Sequence, residues 1–154
     1  MNAMSAITEP LDVLIVGAGL SGIGMAIQLA AKCPGKRFAI LEQRERLGGT
    51  WDLFRYPGIR SDSDMYTLGF ESEPWTDEKA IAEGATIRSY LERIVDERGL
   101  RPHLRLGTKV LAADWDSKAA LWTLSLEGAD GKSAALQARF LYMGSGFYDY
   151  DAAY

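Results

Sequence analysis

The chain has 154 residues, of which 47% are hydrophobic, 25% charged and 10% aromatic, a composition typical of one globular domain. Its formal net charge of -4 argues against nucleic-acid binding, which usually needs a basic face. The single cysteine, Cys33, excludes an internal disulfide and a cysteine-based zinc site. We therefore expect a cytoplasmic protein.

Residues 13–31 carry no charge, and a stretch of this length falls within the range of a transmembrane helix or signal peptide. Four glycines interrupt it, however, and no lysine or arginine precedes it. We therefore expect a buried strand, turn and helix, with no stable membrane insertion. Residues 1–10 are expected to be a disordered or tag-like N-terminus.

The first predicted element is the apolar run 12–16, which ends at a glycine and is typical of a strand covered on both faces. A helix is predicted over 21–32, because apolar residues follow one stripe and Pro34-Gly35 stops it. Residues 37–41 form a second apolar strand. The short crossover between the strands implies a parallel sheet.

Regular periodicity fails over 43–79, a long loop of the kind that is usually functional. A helix is predicted over 85–98, followed by strand-like runs at 109–115, 121–127 and 134–143 with turn-rich joints. The pattern indicates an α/β fold, with a parallel sheet plus a small antiparallel β-meander. The end of the last run, at 141–146, predicts a strand arriving at a glycine turn beside a ligand.

The segment Gly17-Ala-Gly-Leu-Ser-Gly22 follows the first strand and opens the first helix. In such a fingerprint the first glycine permits a tight turn, and the second lets backbone approach a pyrophosphate. The third lets the helix pack closely against the strand. The helix N-terminus would then face the phosphates.

Glu42 ends the second strand. A carboxylate there can accept hydrogen bonds from the ribose hydroxyls of an adenosine and disfavours a 2′-phosphate. The position therefore favours FAD or NAD over NADP, and the alternative is a solvated glutamate at a strand end.

A second glycine pair follows in Gly48-Gly-Thr-Trp51, where another backbone segment can approach an extended dinucleotide such as FAD. The alternative is a turn or helix-end glycine pair. Next, Tyr56-Pro-Gly predicts a turn that brings Arg60, Asp62 and Asp64 together. These are either surface ion pairs or a site, and the neighbouring arginines argue against a metal.

Residues 17–22, Glu42, residues 48–51 and residues 56–62 together resemble class B flavoprotein monooxygenases, and within them the Baeyer–Villiger branch. The likeness extends from about residue 11 to residue 154. It implies a Rossmann-like FAD-binding domain of the glutathione-reductase type. FAD-dependent N-hydroxylases and dimethylaniline-type monooxygenases are the enzyme alternative, and a stand-alone nucleotide-binding module is the non-enzyme alternative.

The resemblance implies FAD contacts from several segments. The first glycine motif would hold the diphosphate, the acid after the second strand the ribose, residues 49–53 the flavin half, and a backbone position after residue 109 the adenine. The matching positions are Gly17, Gly19, Ser21, Gly22, Glu42, Gly49, Thr50, Trp51, Asp52, Leu53 and Val110. Asp62 would lie near the isoalloxazine, while Arg60, Ser61 and Asp62 would border the nicotinamide nucleotide.

In this family NADPH reduces FAD, and O2 adds at flavin C4a. The resulting peroxyflavin converts a ketone to an ester or lactone, or oxygenates a sulfide or thioamide. The resemblance assigns Asp62 a catalytic role, as the partner that holds an active-site arginine.

The family's histidine-and-tryptophan fingerprint, second glycine fingerprint and active-site arginine have no counterpart here, and we interpret His103 as structural. We therefore expect 11–154 to be a partial FAD-binding domain, truncated before the NADPH-binding domain and inactive by itself. Exposed apolar surface should weaken FAD binding, to the point of loss, and favour self-association.

Overall fold

The β-α-β unit predicted for the start of the chain is present. In the computed structural model, which describes residues 9–146, strand β1 (Leu11–Val16) leads into helix α1 (Leu20–Lys32). Strand β2 (Phe38–Leu41) follows and pairs with β1 in parallel. All four residues of β2 are buried, as expected for a strand covered on both faces.

The rest of the described chain supplies three helices, a 3₁₀ turn and four strands. In chain order these are α2 (Thr50–Leu53), α3 (Met65–Leu68), α4 (Gly84–Glu97), the 3₁₀ turn Arg101–His103, β3 (Leu104–Arg105), β4 (Thr108–Asp116), β5 (Leu121–Gly128) and β6 (Ser133–Met143).

All six strands form one mixed sheet in the order β3-β2-β1-β6-β5-β4. Strand β6 is parallel to β1 and antiparallel to β5, and Ala138 takes part in both pairings, opposite Leu11 and Trp122. The predicted meander is thus continuous with the parallel sheet, because its last strand belongs to both. The α/β fold class is confirmed.

The sheet separates two apolar cores. On one face, β1 and β2 residues such as Ile15 and Ile40 pack with α1 and α4, where Ile23 and Leu91 are fully buried. On the other, residues such as Leu14 pack against β5 and β6. Both faces of β1 are therefore occupied, which fixes the position of the turn that follows it.

Sequence periodicity did not reveal the short elements α2, α3 and β3. A helix of one turn leaves no repeating apolar pattern, and α3 is instead marked by its cap: the Asp64 carboxylate accepts a hydrogen bond from the Thr67 N–H at 2.8 Å. His103 stacks on the Phe38 ring, with centroids 4.1 Å apart, and its structural interpretation is consistent with this contact.

None of the helices within residues 9–146 is long and apolar enough to cross a bilayer, since the charge-free stretch is divided between β1 and the 13-residue α1. The expected disordered or tag-like segment falls mainly on residues 1–8, which lie outside the described residues, as do residues 147–154.

Candidate functional site: a cleft at the carboxyl ends of the parallel strands

A cleft of about 780 Å³ opens where β1, β2 and β6 end. In open α/β sheets, ligands bind in the crevice outside the carboxyl ends of the strands. Its walls come from four segments: the turn after β1, the end of β2 with the loop that follows, the first half of β4, and the turn after β6. The lining residues of the first two are Val16, Gly17, Gly19, Leu20, Ser21, Leu41, Glu42, Gln43, Arg44, Gly48, Gly49, Thr50 and Trp51, and those of the last two are Thr108, Val110, Leu111, Ala112, Ala113, Met143, Gly144, Ser145 and Gly146.

The turn after β1 requires its glycines for steric reasons. Gly17 has φ +99°, and a Cβ atom there would lie 2.5 Å from the Gly144 carbonyl oxygen. A Cβ on Gly22 would overlap the Gly17 carbonyl oxygen, so Gly22 serves helix–strand packing and does not line the cleft. The tight turn brings the start of α1 to the cleft.

The N-terminus of α1 lies at this cleft, with Leu20 and Ser21 in the lining. Its N-cap, Gly19, has no side chain that could cap the helix, and the first turn contains no acidic residue. The first N–H groups of a helix lack intrahelical partners, and the helix dipole places partial positive charge there. The arrangement suits an anionic group such as a phosphate.

The second glycine pair lies directly against the first motif. The Gly48 N–H donates to the Ala18 carbonyl at 2.9 Å, and a Cβ on Gly49, which has φ +56°, would lie 3.0 Å from the Gly19 Cα. Two backbone turns thus approach each other without intervening side chains. Together they form a cradle that side chains at these positions would fill.

Glu42 is held in one orientation at the end of β2. It is 6% exposed, its Oε2 accepts the Ala18 N–H at 2.9 Å, and its Oε1 accepts the Arg44 N–H at 3.0 Å. Each carboxylate oxygen can accept further bonds, and the residue lines the cleft. It can therefore receive hydroxyl donors from a bound ligand.

The β4 wall carries a β-bulge between Val110 and Ala112. Bulges re-aim residues beside binding sites, and Val110, Leu111, Ala112 and Ala113 all line the cleft. Val110, predicted to meet an adenine, therefore lies in the same cleft as Glu42, although its role stays a prediction.

Thr50 and Trp51 line the cleft, but the neighbouring Asp52 points elsewhere. Its carboxylate is 5% exposed and Oδ1 pairs with three arginines. The three partners are Arg46 at 3.1 Å, Arg55 at 3.0 Å and Arg88 at 3.3 Å. This network ties the loop and α2 to α4, so the side chain of Asp52 stabilises the segment from behind. Leu53 also lies outside the cleft lining.

Residues 60–62 do not line the cleft. Ser61 is buried, and its N–H and Oγ bond with the Ala82 carbonyl and N–H at 2.9 and 3.1 Å, which pins this segment to the one before α4. Arg60 and Asp62 are exposed. The arrangement leaves Asp62 available to groups outside the described chain, and its catalytic role stays a prediction.

Sequence reasoning missed Arg44, Thr108 and Tyr142. Arg44 lines the cleft two residues beyond Glu42, and its position at the same strand end was the available signal. Tyr142 bonds to Ser21 through its hydroxyl at 2.9 Å. No local pattern could reveal this contact, because the two residues lie at opposite ends of the chain.

Comparison with known proteins places this geometry in context. The family described as NAD(P)-binding Rossmann-like domain matches residues 15–77. The FAD-containing monooxygenase EthA of Mycolicibacterium smegmatis is 51% identical over 147 residues, which is 96% of this chain and 30% of that protein.

Two solved structures are similar to this chain in fold. OTEMO in complex with FAD and NADP is similar with a TM-score of 0.75 and 31% identity, over 88% of this chain and 25% of that one. Polycyclic ketone monooxygenase from Thermothelomyces thermophila has a TM-score of 0.80 and 25% identity, over 95% and 25%. The chain spans about 30% of the length of the curated relatives, and over 96% of its own length it is similar to an FAD-containing monooxygenase.

Proposed function

We propose that the cleft binds FAD as part of an NADPH- and O2-dependent monooxygenase of the Baeyer–Villiger type. The observation that carries the proposal is the contact between the two glycine turns at Gly19 and Gly49, which leaves backbone on both sides of the start of α1. A single glycine turn is enough for the diphosphate of NAD, whereas a second one lets another backbone segment approach a longer cofactor such as FAD. When bound, FAD supplies the redox and oxygen-transfer chemistry.

We assign the lining groups to the parts of FAD. Glu42 and Val110 would hold the adenosine, the α1 N-terminus with Ser21 the diphosphate, and Thr50 with Trp51 the flavin half. A volume of about 780 Å³ lies within the usual range of cofactor sites. The carboxylate of Glu42 would repel a 2′-phosphate, which supports FAD over NADP at this site.

The cleft has exposed walls, and this predicts weak binding by the chain alone. Thr50, Ala112 and Gly146 are exposed, and Met143 is 61% exposed. A cofactor lying there keeps much of its surface in water, so less apolar area is buried on binding. The exposed apolar side chains of Ala112 and Met143 support the proposal that the chain self-associates.

The remaining assignments follow from the resemblance. We infer that Asp62 lies near the flavin and holds an arginine, and that Arg60, Ser61 and Asp62 border the nicotinamide nucleotide. Arg60 and Asp62 are exposed and lie outside the cleft lining, which is compatible with contacts to further groups. Ketones, sulfides and thioamides are the proposed substrate classes, and a cytoplasmic location is proposed.

Gly19→Ala tests the proposal directly. A Cβ at Gly19 would lie 3.5 Å from the Gly49 Cα, an ordinary contact, so the fold should tolerate it while the methyl group fills the cradle. We expect the Kd for FAD, measured by calorimetric titration, to be at least about tenfold higher for this variant. The reason is that the methyl group prevents the close approach of the backbone to the cofactor.

Gly35→Ala is the matched control. Gly35 has φ +84° with open space around its Cβ position, so alanine there costs backbone strain at the far end of α1 without touching the cleft. Equal FAD affinity for wild type and G19A, or no binding of FAD to the wild-type chain at millimolar concentration, would refute the proposal.

A further inference from the structure

We infer that Tyr142 is a positioning residue for the diphosphate of the bound dinucleotide, acting through the hydroxyl of Ser21. This inference rests on the proposed FAD site and adds to it a residue that the glycine fingerprint does not contain. The two hydroxyl oxygens lie 2.9 Å apart, and Ser21 lines the cleft in the first turn of α1.

Tyr142 is held firmly by the sheet. It lies on β6 opposite Ile15 in the parallel pairing with β1 and is partly buried against the helix-side core. Two residues further along the chain, the Gly144 N–H donates to the Val16 carbonyl at 2.7 Å. The phenol oxygen is therefore delivered to the start of α1 by a rigid strand, not by a loop.

The number of protons on the two hydroxyl groups indicates which of them donates the hydrogen bond when an anion is bound. Each hydroxyl has one proton to donate and can accept in return. If Ser21 donated to Tyr142, it would turn lone pairs towards an anion at the helix N-terminus. If Tyr142 donates instead, the serine proton is free to point at a phosphate oxygen, where a charge-assisted bond is stronger than a neutral one.

Ser21 by itself would be poorly oriented. It is exposed, and a serine hydroxyl rotates to suit its surroundings. The bond from Tyr142 removes the unproductive rotamers before the ligand arrives, and a chain of hydrogen bonds polarises each member. The expected effect of Tyr142 is therefore on affinity for phosphate-bearing ligands.

Three variants of the full chain test this: Tyr142→Phe, Ser21→Ala and the double variant. We expect the Kd for FAD to rise about fivefold in Y142F and about tenfold in S21A, as for loss of a neutral and a charge-assisted hydrogen bond. The double variant should be no weaker than S21A, because the phenol acts only through the serine. Tyr66→Phe, which removes a hydroxyl bonded to the Asp77 carbonyl away from the cleft, is the control and should leave the Kd unchanged.

Two simpler probes separate positioning from a structural effect. ADP and adenosine are titrated into the same variants and followed by NMR chemical shifts; Y142F should weaken ADP about fivefold and leave adenosine unchanged. Equal weakening of both ligands, or additive losses in the double variant, would overturn the inference. Wild-type binding of FAD with no change in Y142F would overturn the inference alone, whereas absence of FAD binding would overturn the proposed function as well.

Discussion

The carbonyl oxygen of Gly17 occupies the space that a Cβ atom on Gly22 would need. Strand β1 and helix α1 thus meet at a distance that only two glycines permit, and the helix N-terminus is brought to the cleft as a result. The same contact that packs the fold therefore shapes the site.

Gly22→Ala should destabilise the protein. The obstacle is backbone, so relief requires helix α1 to shift, and overpacking of this kind costs about 2–3 kcal/mol. Urea unfolding followed by circular dichroism measures the change. Gly24→Ala makes an informative comparison, because its Cβ would meet the Phe70 ring at 2.8 Å, and a side chain moves more easily than a carbonyl. A G22A protein as stable as wild type would contradict the packing argument.

Glu42→Ala should affect both stability and binding. Ala18 is fully buried, and without the carboxylate its N–H loses its partner, which costs about 1–3 kcal/mol. The Kd for FAD should rise about tenfold through loss of the ribose contact. Glu45→Ala, at an exposed position outside the cleft lining, should change neither quantity. If E42A binds FAD as the wild type does, Glu42 has no role in the ribose site.

The backbone half of the site could be predicted from sequence because it depends on local constraints. A turn with positive φ and a close helix–strand contact both demand glycine, so Gly17 and Gly22 are visible in the residue types themselves. The strands and long helices were visible for a similar reason. A helix buried on one face repeats its apolar residues with the helical period, and a strand buried on both faces is a continuous apolar run.

Contacts between distant segments could not be predicted in this way. Tyr142 on β6 and Ser21 on α1 meet only because β6 inserts beside β1. The burial of Asp52 among arginines is similar, since it depends on Arg88 of α4. Such contacts are set by strand order, and nothing local in the sequence of either partner encodes it.

Ala120→Gly should stabilise the β4–β5 hairpin. Ala120 has φ +51°, a left-handed conformation that costs a residue with a Cβ about 1–2 kcal/mol. Glycine removes that strain but adds unfolded-state entropy of about 0.4–1 kcal/mol, so a net gain of about 0.5 kcal/mol is expected. Ala119→Gly at the adjoining exposed position should bring only the entropic loss. A lower midpoint of thermal unfolding in A120G than in A119G would rule out this explanation.

Acid should remove a contribution of Asp12 to stability. Its carboxylate accepts the Arg37 N–H at 2.9 Å and the Lys36 ammonium at 3.2 Å, and these bonds hold the pKa of Asp12 below its ordinary value of 3.8. A lowered pKa in the folded state means that the contribution is present above the unfolded pKa and disappears as pH falls through the folded pKa. The unfolding free energies of wild type and Asp12→Asn should therefore differ at pH 6, and the difference should shrink as the pH falls below about 4 and vanish below the folded-state pKa. A difference that stays constant with pH would show that the carboxylate charge has no part in it.

Self-association of the chain should depend on Phe140. This side chain is 67% exposed on the central strand β6, where water contacts an aromatic ring that a second surface could cover, and buried aromatic anchors dominate association energies. Phe140→Thr keeps a residue suited to a strand and should raise the dimer dissociation constant about tenfold in sedimentation equilibrium.

Tyr56→Thr is the control, because it removes an aromatic ring of similar exposure, 60%, from a loop. It should leave the dimer dissociation constant unchanged. A wild-type chain that is monomeric up to millimolar concentration would remove the basis for this prediction, and equal effects of the two substitutions would show that association follows general hydrophobicity and does not depend on the β6 surface.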